Sequence, residues 1–328
     1  MPVEKILLVS LDNLGDLVFA SALAPPLRER YPEAALDVFS KRYTADIAAL
    51  IPGVRDVIAA DPFWDRAPGR AKGDLGTFLR TLRDVRRRRY DVAVLAAAPW
   101  RTAAAIAAAR IPERVALRRR KNRLFLTQSL PTEDPRRPVM AELARLLPAL
   151  DVAPRALRYR LDPTSLAGRQ QRLKERIAEP FAALHPFASK RNRCVAMPIW
   201  LELSRRLATR GLHTLWIGSA RELDEVRALG ATPTSRFIDR DSDGSLADSA
   251  AALAMAALFV GHDSGPLHIA GAFGVPVVGI FAPGEPLRTF PQGVGPSRML
   301  ARSSPDAVGL EDMLAEVSAL GGAEVRAR

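Results

Sequence analysis

The sequence predicts an α/β protein built from two doubly wound parallel-sheet domains, and three observations carry that reading. Short apolar runs alternate with segments of helical periodicity through both halves of the chain. The 328 residues are long for one core and comfortable for two. A weakly patterned, proline-punctuated stretch from Asp134 to Asp162 separates the halves, which places the domains at 1–162 and 163–328.

In the first half, Lys5 to Ser10 reads as a strand, and Leu17 to Tyr31 has helical spacing with a kink or restart at Pro25-Pro26. Ala35 to Phe39 is strand-like, Tyr43 to Leu50 helical, and Val54 to Ala59 a strand ahead of Asp61-Pro62. Leu75, Phe78, Leu79, Leu82 and Val85 fall on one helix face, and Tyr90 to Ala96 is the next strand. A helix from Val139 to Leu147 precedes the connecting prolines. The second half repeats the alternation: strand Phe181 to His185, helix Ile199 to Gly211, strand His213 to Ile217, helix Arg221 to Leu229. Arg236 to Ile238 is a short strand and Leu246 to Ala256 a helix. The chain then reaches a strand ending in Leu258-Phe259-Val260, a turn at Asp263 to Pro266, a helix from Leu267 to Phe273, and a strand from Val277 to Phe281. Parallel βαβ units put ligands at the carboxyl ends of strands, in a cleft between two such domains.

Composition narrows the function. Hydrophobic content of 48% with 26% charged residues describes a globular protein, and no apolar run approaches the roughly 18 residues of a membrane span. The apolar stretch after the N-terminus is only Ile6 to Val9, so a cytoplasmic protein without a secretory signal is expected. One cysteine and four scattered histidines argue against a disulfide framework or a structural metal. A net charge of +12 favours anionic partners, concentrated in runs at Arg86 to Arg89 and Arg118 to Lys121. Either run would also serve as a solvated helix end or loop. Aromatics at 6% and the lack of a binding motif speak against nucleic acid.

Four segments after strands carry candidate chemistry. A helix opening at Ser264-Gly265 directs backbone N–H groups and its positive dipole end above the sheet, which suits a diphosphate. Asp and Ser are also ordinary caps; the pairing of Asp263 with His268 in an otherwise apolar segment is what sets this turn apart. Asp16 follows the first strand and is placed to act either as a general base or as a helix-start acid. The loop with Ser189, Lys190, Arg191 and Arg193 offers cations to a leaving diphosphate, or is a solvated basic loop. Glu222 would accept hydrogen bonds from a ribose diol or cap its helix.

The order of these segments resembles the heptosyltransferases of glycosyltransferase family 9, above all in HDSGPLHIAGAFGVPVVGIFAP, with Asp263, Ser264, Gly265, Pro266 and His268 in register before Gly274-Val275-Pro276. ILLVSLDNLGDLVFASALAPPLRERYP, the strand into His185-Pro186 and Gly218 to Glu222 extend the resemblance over nearly the whole chain. It implies a GT-B architecture of two Rossmann-like domains and metal-independent, inverting transfer of heptose from ADP-heptose to the lipopolysaccharide core, with no cofactor. It implies Asp16 as base, Glu222 on the ribose, and Asp263, Ser264 and Gly265 on the donor sugar and diphosphate. Arg193 falls where the family has a diphosphate-binding lysine in Lys-x-Trp-Pro, with Lys190 as a competitor, because Arg193-Cys194-Val195-Ala196 lacks the Trp-Pro. Arg118, Arg119 and Arg120 would attract an anionic glycan or glycolipid acceptor, with peripheral contact at the inner membrane face. Rival readings are a relative with another acceptor, such as a secondary metabolite, a sugar-nucleotide epimerase, and a non-catalytic nucleotide-binding protein.

Overall fold

A computed structural model describes residues 2–65, 72–132, 134, 136–177, 180–230, 235–239, 245–284 and 286–320. The chain divides into two compact units, Met1–Tyr159 and Arg160–Arg328. Residue 135 of the stretch read as a connection lies outside the described residues. Most of the rest folds into the first unit: Met140, Leu143, Leu146, Leu147 and Leu150 are buried, and Tyr159 packs its ring on Phe19.

Unit 1 holds β1 (Lys5–Ser10), β2 (Ala35–Ser40), β3 (Val54–Ala59), β4 (Val92–Leu95), β5 (Glu113–Leu117) and β6 (Gln128–Leu130). They form one sheet in the order β3-β2-β1-β4-β5-β6, every pair parallel. Unit 2 repeats the plan with β7 (Phe181–His185), β8 (His213–Gly218), β9 (Ser235–Asp239), β10 (Leu258–His262), β11 (Val277–Phe281) and β12 (Ser297–Ala301), in the order β12-β11-β10-β7-β8-β9. Each sheet therefore reverses direction once, between β1 and β4 and between β7 and β10. At such a switch point the two neighbouring loops leave in opposite directions and open a crevice at the strands' carboxyl ends.

Both sheets are covered by helices, so β7, β10 and β11 are buried at every position and apolar but for the terminal His185 and His262. Trp200 and Trp216, neither of them solvent-exposed, anchor the core of unit 2, and Phe39 and Phe78 that of unit 1. Pro25 and Pro26 divide the first helical stretch into helices Leu14–Ala20 and Ala24–Arg30, since a prolyl nitrogen cannot donate within a helix but suits its first turn. In the helix Leu75–Arg88 the buried face is Phe78, Leu82 and Val85, while Leu75 and Leu79 point to solvent. Its arginine run closes the last turn, where Arg88 pairs with Asp37 and Asp56, Arg87 pairs with Asp84, and the helix dipole favours cations. Two of the four arginines of that run are thus tied into ion pairs of the fold. The helix Trp100–Ala108, the strands β5, β6 and β12, and the helix Leu310–Ala319 were not foreseen from the sequence. Among the described residues no helix is long and apolar enough to cross a membrane.

Candidate active site

The turn after β10 sits at the switch point of unit 2. Gly261 lies in register with His185 of β7, and a Cβ there would stand 2.6 Å from the Phe259 ring and 3.1 Å from the His185 carbonyl oxygen, so the strand can carry nothing larger. Beyond it, Asp263 is a half-buried carboxylate held from two sides. Thr289 Oγ1 donates to its Oδ2 at 3.0 Å, and the buried His268 brings Nε2 to 3.4 Å from Oδ1. The pairing of Asp263 with His268 is thus a contact.

Ser264 occupies the N-cap position of helix Gly265–Ala272 without capping it. Its hydroxyl donates back to the His262 carbonyl at 3.0 Å and makes no bond to the helix amides. Pro266 in the first turn removes one donor, and the helix start keeps its positive end uncovered by a side chain. At the far end Gly274, at φ +85°, supplies the left-handed residue that lets the chain turn into β11.

Across the switch point, the loop after β7 carries Ser189 and Lys190 exposed and Arg193 partly so. Arg191 is ion-paired with Glu225, which leaves Lys190 and Arg193 as the loop's candidate anion ligands. Sequence reasoning missed what holds this loop. Val195 N–H donates to His262 Nε2 at 3.1 Å, and Trp200 meets the same imidazole edge-on with 5.5 Å between ring centres. Because Nε2 accepts, the ring is neutral with its proton on Nδ1. Burial pushes its pKa down to about 3, with the neighbouring His185 adding to the shift. His185 is displaced in the same direction by its own burial, while its Nδ1 is fixed 2.8 Å from the Ile217 carbonyl of β8. The signal for His262 was a polar residue at the end of an otherwise apolar strand.

Glu222 follows β8 in the first turn of helix Ala220–Ala228. Its Oε2 accepts from the Ser219 N–H and from the Ser219 hydroxyl, both at 2.8 Å, so this oxygen closes the helix start. Asp16 of unit 1 does the same after β1, where its Oδ2 accepts the Asn13 N–H at 3.3 Å. That bond fixes the rotamer of a partly exposed carboxylate at the carboxyl end of β1, beside its own sheet's switch point.

Arg118, Arg119 and Arg120 follow β5. Buried Asn122 pins their loop: its amide donates to the Ala98 and Leu117 carbonyls, both at 2.9 Å, and its Oδ1 accepts the Arg119 N–H at 2.8 Å. The three arginines, Arg123 and Thr132 line a hollow of about 370 Å³. The structure therefore gathers Ser189, Lys190, Arg193, Asp263, Ser264, Gly265 and His268 on two adjacent loops of unit 2, with Glu222 on the next, and sets Asp16 and the arginines in unit 1. Among the described residues no group of three His, Cys, Asp or Glu could hold a metal ion.

Comparison with known proteins bears on the fold and the family. The chain is 23% identical over 300 residues to lipopolysaccharide heptosyltransferase 2 of Salmonella typhimurium, covering 86% of this chain and 84% of the relative. The structure of the E. coli ADP-heptose lipopolysaccharide heptosyltransferase II superposes with a TM-score of 0.80 at 20% identity, over 96% of this chain and 98% of that one. The E. coli heptosyltransferase WaaC with ADP gives 0.77 at 15% identity, over 97% and 100%. These likenesses establish the GT-B fold of two Rossmann-like domains. The sequence profile of glycosyltransferase family 9 (heptosyltransferase) matches residues 78–305, from the helix Leu75–Arg88 of unit 1 to just beyond β12 of unit 2. The chain accordingly belongs to glycosyltransferase family 9, the heptosyltransferase family, and is a glycosyltransferase.

Proposed function

We propose that this enzyme transfers a heptose from ADP-heptose to an acceptor of the lipopolysaccharide core, inverting the anomeric configuration without a metal ion, and that it works in the cytoplasm. The observation that carries the donor half is the turn Asp263 to Gly265: a helix start left open by its own N-cap serine, beside a carboxylate fixed on both sides and a loop bearing two cations. A diphosphate would take the amides of that helix start, and Asp263 would accept from sugar hydroxyls. Two of the named relatives are lipopolysaccharide heptosyltransferases, and the third, a heptosyltransferase, was solved with ADP.

In the reaction, the acceptor hydroxyl gives its proton to Asp16 as its oxygen attacks the anomeric carbon. The new C–O bond forms on the face opposite the nucleotide, the bond to the phosphate oxygen breaks, and ADP leaves with the electron pair. Charge grows on the departing diphosphate, where fixed N–H dipoles and the cations of Lys190 and Arg193 would lower the barrier. Arg193, at the place of the family's lysine, would supply charge together with Lys190, and the Val195 amide holds their loop to His262. Arg118 to Arg120 would receive the anionic groups of the acceptor. Glu222, with one oxygen committed to its helix, would meet the ribose with the other.

A thermal-shift series of nucleotides tests the donor half. ADP should raise the melting temperature more than UDP or GDP at equal concentration; indifference to all three would end this reading.

A further inference from the structure

We propose that the carboxyl edge of unit 1 around Trp100 and Leu124 docks on an anionic lipid bilayer. Trp100, the first residue of the helix after β4, is 44% exposed, and Leu124, in the short turn Asn122–Phe125, is 76% exposed. They form one apolar prominence. Phe125 stacks on Trp100 with ring centres 6.5 Å apart, and Asn122 binds the loops after β4 and β5 to each other through the Ala98 and Leu117 carbonyls.

Cations surround this prominence and lack acids to answer them. Between Ala96 and Thr132 the sequence has eight arginines and lysines and a single acid, Glu113. Arg101 lies over the Trp100 ring, 5.3 Å from its centre, and Arg118, Arg119, Arg120 and Arg123 line the hollow beside Leu124. None of these five makes an ion pair among the described residues. Exposed arginines elsewhere often do, including Arg87, Arg136, Arg155, Arg191 and Arg205, whereas here five cations cluster around one apolar prominence with no acid paired to them.

A bilayer fits both features at once. Indole and leucyl side chains settle at the boundary between headgroups and acyl chains, and each cation near an anionic leaflet strengthens binding about fivefold. A nucleic acid or an acidic peptide would use the charge and leave Leu124 in water. The location also has a use. In the sheet, β5 lies two ladder steps from β1, roughly 10 Å, so a docked edge holds the base Asp16 close to the headgroup layer. That use rests on the proposed lipid-linked acceptor; the docking surface itself does not.

The test is co-sedimentation of the full-length protein with vesicles of phosphatidylcholine alone and of phosphatidylcholine mixed with phosphatidylglycerol. Binding should require the anionic lipid, weaken with added sodium chloride, and shift the tryptophan emission to the blue; Trp100→Phe should abolish the shift. Trp100→Ser with Leu124→Ser should lower the partition coefficient about tenfold while leaving the ADP-induced rise in melting temperature unchanged. Arg119→Ser with Arg120→Ser should lower it at least tenfold and flatten its salt dependence. No binding to the anionic vesicles, binding that both double variants leave undiminished, or displacement from the vesicles by duplex DNA at equal phosphate concentration would overturn the proposal. The vesicle assay contains neither donor nor acceptor. A failure there with an intact ADP response removes only the docking surface, and the opposite pattern removes only the proposed reaction.

Discussion

At the scale of the residue, several side chains serve the fold and a proposed ligand role at once. Asp16 spends one oxygen on the Asn13 amide and Glu222 one on Ser219, which is why sequence alone left base and cap, ribose ligand and cap, as equal readings. The two uses coexist, because a capping bond also orients the carboxylate. Asp16→Asn should lower kcat by a factor of about 10² to 10⁴, the usual worth of a general base, with the ADP dissociation constant from calorimetry unchanged. An equal loss of nucleotide affinity would make Asp16 a donor ligand instead. His262 gives a second prediction. Its phenylalanine variant loses the acceptor for Val195 N–H, so KM for the donor should rise about tenfold with a smaller effect on kcat, and His262→Gln should recover part of it. The neutral ring also sets a pH dependence. In the folded state its pKa is depressed from 6.5 to about 3, so an unfolded chain binds the proton first as pH falls. The stability due to the neutral ring is complete above 6.5 and is lost between there and 3, by up to about 1.4 kcal/mol per pH unit. Melting curves from pH 7 to pH 4 should fall more steeply for the parent than for His262→Gln.

At the scale of the element, most of the strands that could be read are buried, although the half-exposed β3 was legible too. β1, β7, β10 and β11 each have an apolar run at their centre, and its length with the turn residues that follow separates them from helices. β5 and β6 escaped notice because Glu113-Arg114 opens one with charge and the other is only Gln128-Ser129-Leu130. Their pairing is enforced from outside, by the ladder to β4 and by the Arg118 N–H donating to the Leu130 carbonyl at 2.6 Å. The helix Trp100–Ala108 was equally silent, being nearly all alanine after its first turn. Since these elements carry the arginines, the second cationic run could be seen in the sequence while the hollow it lines could not. Asn122→Ala tests that support. It strips partners from two carbonyls and the Arg119 amide, so it should cost about 1–3 kcal/mol and weaken binding of an anionic acceptor. Unchanged melting and acceptor affinity would show that the loop is held by other means. Gly261→Ala should destabilise unit 2 by about 1–3 kcal/mol through the clash with Phe259.

At the scale of the whole molecule, each unit has its own sheet and core, and the proposed donor groups all belong to Arg160–Arg328. Scanning calorimetry should then resolve ADP binding as a shift of one transition. At a hundredfold excess over the dissociation constant the stabilisation is about 2.7 kcal/mol, or roughly 5–10 °C for a unit of this size. A shift of both transitions together would mean that the units unfold as one. The sequence by itself determined the class of the fold, the strand-to-helix order, the Asp263 to Gly274 unit and the excess of cations, because these depend on local pattern: periodicity, turn chemistry and composition act over a few residues. Only the tertiary structure decided which of those features meet. It joined Asp263 to Thr289, set His262 under Val195, assigned Arg88 to a buried carboxylate and left Arg118 to Arg120 unanswered. Each of these contacts depends on strand order and on which groups become desolvated together, and neither is written in the spacing of neighbouring residues.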